Sequence, residues 1–196
     1  MNLRKYGWLF GTTLLVGGIG GILAGFIVGR ADLFDGGVGN FLIATFMNLL
    51  FGLSISVLTQ MGFFAYMMLN YLAQSVFKSR GLWRNIQILL ILFTFFDFVY
   101  LRYSLGVQGD SLWPYFVEPS VLLLVSVIAA YAKVRLTNPT AWVPTVFFLF
   151  VGTTIEWIPA LRENAYSAIF MAVPLLFCNI WQVLHLQRLV KADPAS

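Results

Sequence analysis

The chain has little with which to do chemistry. Among its 196 residues there is one histidine, His185, and one cysteine, Cys178, the latter inside an apolar run. A single cysteine gives neither an intrachain disulfide nor a thiolate metal site. A zinc hydrolase needs about three protein ligands, and no such cluster occurs along the sequence. No Gly-x-Ser-x-Gly elbow and no phosphate-cradling loop is present. An intramembrane aspartyl pair would need two deep aspartates, and only Asp97 qualifies. The expectation is a protein that is not an enzyme, with no cofactor and no metal.

Charge is also scarce. Lys, Arg, Asp and Glu make up 10% of the chain, against about 25% in soluble domains. Hydrophobic residues make up 60% and aromatics 17%, which points to one polytopic membrane domain. A net charge of +4 could suggest nucleic acid, but the basic residues are scattered in short breaks between apolar runs, as topology signals are. No nucleic-acid partner is expected.

Six apolar runs are long enough to cross about 30 Å of hydrocarbon at 1.5 Å per residue. They lie near 7–29, 40–66, 85–103, 114–132, 143–160 and 166–186. The first follows a basic start at Arg4 and Lys5, yet it is too long for a secretory h-region and has no Ala-x-Ala site after it. It reads as an uncleaved span. With that end on the cytoplasmic side, Arg4, Lys5, Lys78, Arg80, Arg84, Lys133, Arg135, Arg188 and Lys191 fall inside, and Arg30, Arg102 and Arg162 outside. Every loop then obeys the positive-inside rule, and both termini are cytoplasmic. The acids sort oppositely: only Asp193 lies inside. The expected fold is therefore an all-α integral membrane bundle of six helices in the cell membrane.

Apolar character continues from Phe41 to Phe77. Two spans there would reverse the charge rule downstream, so one helix running on toward the cytoplasmic interface is preferred. Tyr66, Asn70, Gln74 and Lys78 would then share one stripe, and Asn48, Gly52, Ser56 and Gln60 an interior row. Five tryptophans, at 8, 83, 113, 142 and 157, mark span ends as an aromatic belt. No internal repeat shows: all seven prolines lie at or after Pro114, and sixteen of the seventeen glycines precede it. That counts against a transporter built by duplication.

Two groups of residues stand out. Thr13, Gly17, Gly21, Gly25 and Gly29 recur every fourth position, a ridge of small side chains on which another helix can dock closely. Asp97, Glu118 and Glu156 are carboxylates in apolar context, the first and last about 18–20 Å from the inner edge. A charge at mid-membrane costs about 2.5–3.5 kcal/mol, so these groups should meet bases from other spans. With Arg102 and Arg162 they form an expected outer-leaflet polar cluster, capped by Trp157 and Pro159. Such a cluster is either an ion-pair network that orients helices or a small sensing or solute pocket. Asp97 and Arg102 are five apart, about 140° around a helix, and should not pair with each other. Asn179, Gln182 and His185 share a face of the last run and read as an interior stripe.

Residues 12–18 (TTLLVGG), 60–66 (QMGFFAY), 155–162 (IEWIPALR) and 174–182 (PLLFCNIWQ) resemble the KinB-signalling pathway activation family of spore-forming Gram-positive bacteria. The length and six-run layout extend the resemblance over nearly the whole chain. It implies an integral membrane protein that promotes signalling by a membrane sensor histidine kinase feeding the sporulation phosphorelay, with no catalytic residues to carry across. Gln60, Tyr66, Asn70 and Gln74 are then the expected contact with the kinase's own spans. The competing expectation is a small-solute transporter or solute-binding membrane protein that uses the outer acidic cluster.

Overall fold

The computed structural model describes residues 3–28, 37–77, 79–105, 112–163 and 165–190. Gly29 of the small-residue ridge lies outside the described residues, as do Arg30, Asp32, Asp35, Lys78, Asp110, Lys191 and Asp193. The described residues are almost wholly helical. Six helices are long and apolar enough to cross a membrane: α1 Leu3–Val28, α2 Gly37–Val76, α3 Arg80–Leu105, α4 Trp113–Leu136, α5 Pro139–Leu161 and α6 Ala165–Val190.

The apolar stretch that could have held two spans is the single 40-residue helix α2, about 60 Å long at 1.5 Å per residue. The helices run farther into the charged segments than the apolar runs alone indicate. α3 starts at Arg80, and α4 carries Lys133 and Arg135 in its last turn. In a last turn, as at Lys133 and Arg135, cations face the negative end of the helix dipole, which favours helix beyond the apolar part. Arg102 and Arg188 occupy the last turns of α3 and α6 in the same way.

The fifth helix is not regular. A 3-10 turn at Pro139–Ala141 leads into an α segment, Trp142–Phe147, then a π-helical stretch, Phe148–Gly152, and a final α segment, Thr153–Leu161. Nearly all of its middle is buried, including Phe147, Phe148, Leu149 and Phe150.

The chain folds into two compact units. One comprises Met1–Met61 with Glu163–Ser196, the other Gly62–Arg162. In the first, α1 packs on α6 and on the N-terminal part of α2, and the small residues set the spacing. A Cβ on Gly21 would lie 2.7 Å from Gly52 Cα and 2.8 Å from its nitrogen. One on Gly17 would lie 2.5 Å from Ser56 Cβ and 3.0 Å from Cys178 Sγ. On the far side of α1, a Cβ at Gly20 would meet Pro174 Cα at 2.8 Å. Phe51 and Phe170 stack obliquely at 4.7 Å. The second unit is built round aromatic contacts between the C-terminal part of α2 and α5, with α3 and α4 alongside.

Candidate functional site

In the first unit, Thr13, Gly17, Gly21 and Gly25 are all buried. They lie against Asn48, Gly52 and Ser56 of α2, the row expected in the interior. Gln60 closes the row: it is buried, and its Nε2 donates to the Phe10 carbonyl at 3.5 Å. The stretch 12–18 also meets 174–182. Trp181 Nε1 donates to Thr12 Oγ1 at 3.1 Å, and Cys178 Sγ lies 3.7 Å from the Thr13 carbonyl oxygen. Asn179 and Gln182 are fully buried, while His185 stacks on Trp181 at 4.0 Å.

The second unit holds a partly open cavity of about 360 Å³, lined by Gly62, Tyr66, Phe148, Val151, Gly152 and Glu156 among others. Two glycines belong to its wall. Gly62 presents bare backbone to Glu156, whose carboxylate occupies the place a Cβ would take. Gly152 ends the π stretch, whose hydrogen bonds reach one residue farther than in an α-helix and which is often found at functional sites. The aromatic wall is ordered: Tyr66 lies 4.9 Å from Phe148, Phe63 meets Phe148 edge-on at 5.5 Å, and the Tyr66 hydroxyl donates to the Pro144 carbonyl at 3.2 Å. Below it, Trp83 Nε1 donates to Asn70 Oδ1 at 2.9 Å and its ring stacks on Phe77 at 5.9 Å. Replacing Asn70 by leucine should strand that indole N–H at a cost of about 1–3 kcal/mol, read as a lower melting temperature in detergent and a shifted Trp83 emission.

A charged contact links three helices of the same unit. Arg102 Nε lies 2.6 Å from Glu118 Oε2, Arg102 Nη2 donates to Glu118 Oε1 at 2.8 Å, and Arg102 Nη1 donates to the Leu161 carbonyl at 3.0 Å. The fork spans α3 and α4 and satisfies a carbonyl at the end of α5, one of the orphans every helix terminus carries.

Of the five residues expected in an outer polar cluster, the structure joins Arg102 and Glu118. Glu156 lines the cavity against Gly62. Arg162 is exposed at the end of α5, and Asp97 is exposed on α3. Trp157 does not cap a cluster: it is buried edge-on to Phe98 at 5.7 Å. Trp83 is likewise buried, so two of the five expected belt tryptophans face inward, because each finds an aromatic neighbour. Of the four expected contact residues, Gln60 is buried, Tyr66 and Asn70 are half-buried in the hydrogen bonds above, and Gln74 is exposed. Among the described residues no three His, Cys, Asp or Glu side chains gather as a metal ion would require.

Sequence reasoning did not single out Gly62, Gly152 or the Phe147–Phe148 pair. A signal for Gly152 was there: it is the one glycine that follows Pro114. Gly62 sits inside the stretch 60–66 that carries the family resemblance.

The four stretches that carry the resemblance thus meet in two pairs, 12–18 with 174–182 and 60–66 with 155–162, the second pair forming the cavity. These features define an all-helical protein whose six long apolar helices hold a buried glycine seam and a glutamate-bearing cavity. Residues 16–189 match the family described as KinB-signalling pathway activation in sporulation (KbaA), and the chain belongs to that family. It is similar to the KinB-signaling pathway activation protein of Bacillus subtilis (strain 168), at 37% identity over 139 residues, 70% of each chain. No solved structure matches it.

Proposed function

We propose that this protein is a non-enzymatic regulator in the cell membrane that promotes signalling by a KinB-type sensor histidine kinase feeding the sporulation phosphorelay. The observation that carries this reading is family membership over residues 16–189, together with the relative named for activation of the same pathway. On this reading the chain is a single six-span domain with both termini cytoplasmic. Basic residues favour that orientation: they cluster at the starts of α1 and α3 and the ends of α4 and α6, the ends that share one face when six helices alternate in direction.

The regulatory contact is lateral, helix against helix, and the cavity is the element that adjusts it. Gly62 lets α2 approach Glu156 closely, so a change in the carboxylate alters how the two helices sit. Gln74, exposed near the end of α2, is the member of the Gln60, Tyr66, Asn70 and Gln74 stripe left for an outside partner.

Complementation tests the reading. In Bacillus subtilis lacking its own family member, expression of this chain should restore sporulation, and a constitutively active kinase should restore it without the chain. Persistent failure with the kinase bypassed would overturn the regulatory role. Within that assay, Gly62→Val should lower pathway output about tenfold, equivalent to about 1.4 kcal/mol of lost contact. It should still accumulate in the membrane, because the displaced atoms belong to a flexible glutamate side chain rather than backbone.

The cavity favours a second reading, in which a small solute binds beside Glu156. Ligand binding would then raise the melting temperature, and Glu156→Gln would remove the rise. A purified chain whose melting is unmoved across a metabolite panel leaves only the regulatory reading.

A further inference from the structure

Asp97 lies in an unexpected place. It is exposed, eight residues before the end of α3, so about 12 Å from that end of the helix. The side chains that share its face are large and apolar: Leu89, Phe93, Phe96 and Tyr100 are each about two-thirds exposed. Among the described residues no hydrogen bond or ion pair reaches the Asp97 carboxylate. The nearest cation on its own helix, Arg102, is turned to Glu118 and the Leu161 carbonyl. No lysine or arginine occurs between Arg102 and Lys133.

If α3 crosses the bilayer, as the membrane reading above requires, this carboxylate is within hydrocarbon and its side chain is too short to reach the interface. Carboxylates at such depths are costly and are found facing a partner group or water. Among the described residues, the side chains beside Asp97 on this face are exposed aromatic and aliphatic ones. What fits it is an apolar helix with one cationic side chain. A second copy of this chain does not supply that group: among the described residues its basic side chains sit at helix ends, and Arg102 is already engaged.

We infer that the Leu89–Phe93–Phe96–Tyr100 face of α3 docks a membrane-spanning helix of another protein, and that Asp97 pairs with a lysine or arginine within that span. The apolar residues supply contact area, which in lipid discriminates poorly between helices. The charge pair supplies register and selectivity. The inference depends on the membrane reading but not on which protein is the partner.

The test places a photocrosslinking amino acid at Phe93 or Phe96 in the full-length chain in membranes of a sporulating host, with a control at Leu42 of α2. The expected result is an adduct from α3 whose partner peptide, mapped by mass spectrometry, lies in a spanning segment containing lysine or arginine. Asp97→Lys should lower adduct yield about tenfold, and the reciprocal Lys→Asp or Arg→Asp change in the partner should restore it. Thermal melting of Asp97→Lys in detergent checks that the fold is kept. Adducts only with lipid, only with a second copy, or with a partner segment lacking a cation overturn the inference, as does full yield from Asp97→Lys. A separate arm isolates the membrane reading. Free labelling of Phe93→Cys by a water-soluble maleimide in intact membranes, at the rate of an exposed soluble thiol, means that α3 is not in lipid and overturns both.

Discussion

Replacing Gly21 by leucine should lower the melting temperature in detergent by roughly 5–10 °C, while leucine at Gly7 or Gly11 should leave it nearly unchanged. The contrast follows from what each glycine faces. A Cβ on Gly7 or Gly11 finds nothing within 4 Å. On Gly21 it meets backbone, Gly52 Cα at 2.7 Å and Gly52 N at 2.8 Å, and backbone cannot rotate aside. Either α1 and α2 separate or the new side chain is compressed. Overpacking of this kind costs about 1–3 kcal/mol, and more when main chain must move. The gain in helix propensity on losing a glycine is about 1 kcal/mol, too small to offset it. Because main chain must move here, the cost lies above that range, and a net loss of about 2.5 kcal/mol at about 2–4 °C per kcal/mol for a chain of this size gives the stated shift. Gly52→Ala tests the same contact from the other helix: its Cβ would lie 2.9 Å from Gly21 Cα. Equal melting for the Gly21 and Gly11 variants would mean that the seam is not a packed interface.

The seam was legible because spacing alone defines it: small residues every fourth position make a ridge on any helix. The facing row on α2 was legible for the same reason, with polar and small residues at Asn48, Gly52, Ser56 and Gln60. The number of long apolar helices followed from composition. Rotation about each helix axis is harder to read. Depth comes from counting residues, but which side of α3 looks inward depends on what packs against it. Phe98 found Trp157 and turned that side in, so Asp97, one residue and about 100° away, turned out. The 140° between Asp97 and Arg102 was readable, and the structure keeps them apart as it requires. The contact stripe on α2 changed for a related reason: Asn70 and Tyr66 are drawn to an indole N–H on α3 and a carbonyl on α5, partners that sequence spacing does not reveal. The π stretch had no signature beyond Gly152, since FLFVG reads equally well as α-helix.

The second large effect should come from Arg102. Its side chain and that of Glu118 are 19% and 31% exposed, so the pair is neither a solvated surface bridge nor fully enclosed. Exposed pairs contribute about 0–1 kcal/mol, whereas removing one partner of a buried pair costs about 3–5 kcal/mol because the other charge is stranded. Arg102 also loses its bond to the Leu161 carbonyl when replaced, so three helices are released at once. Arg102→Leu should therefore destabilise by about 3 kcal/mol. Arg102→Lys should recover only part of this, since an ammonium cannot reproduce the two-pronged contact with the carboxylate and reach the carbonyl as well. The informative variant is the double replacement Arg102→Leu with Glu118→Leu. If the loss in the single variant comes mostly from the stranded glutamate, the double variant should be more stable than Arg102→Leu alone, with a coupling of about 1.5–3 kcal/mol in the thermodynamic cycle. A coupling below about 0.5 kcal/mol would make the pair an incidental surface contact. The remaining deficit of the double variant then measures the Leu161 carbonyl alone, about 1 kcal/mol for a hydrogen bond to a helix end. The cycle thus separates how far the end of α5 is held by charge pairing from how far by the capping of its last turn.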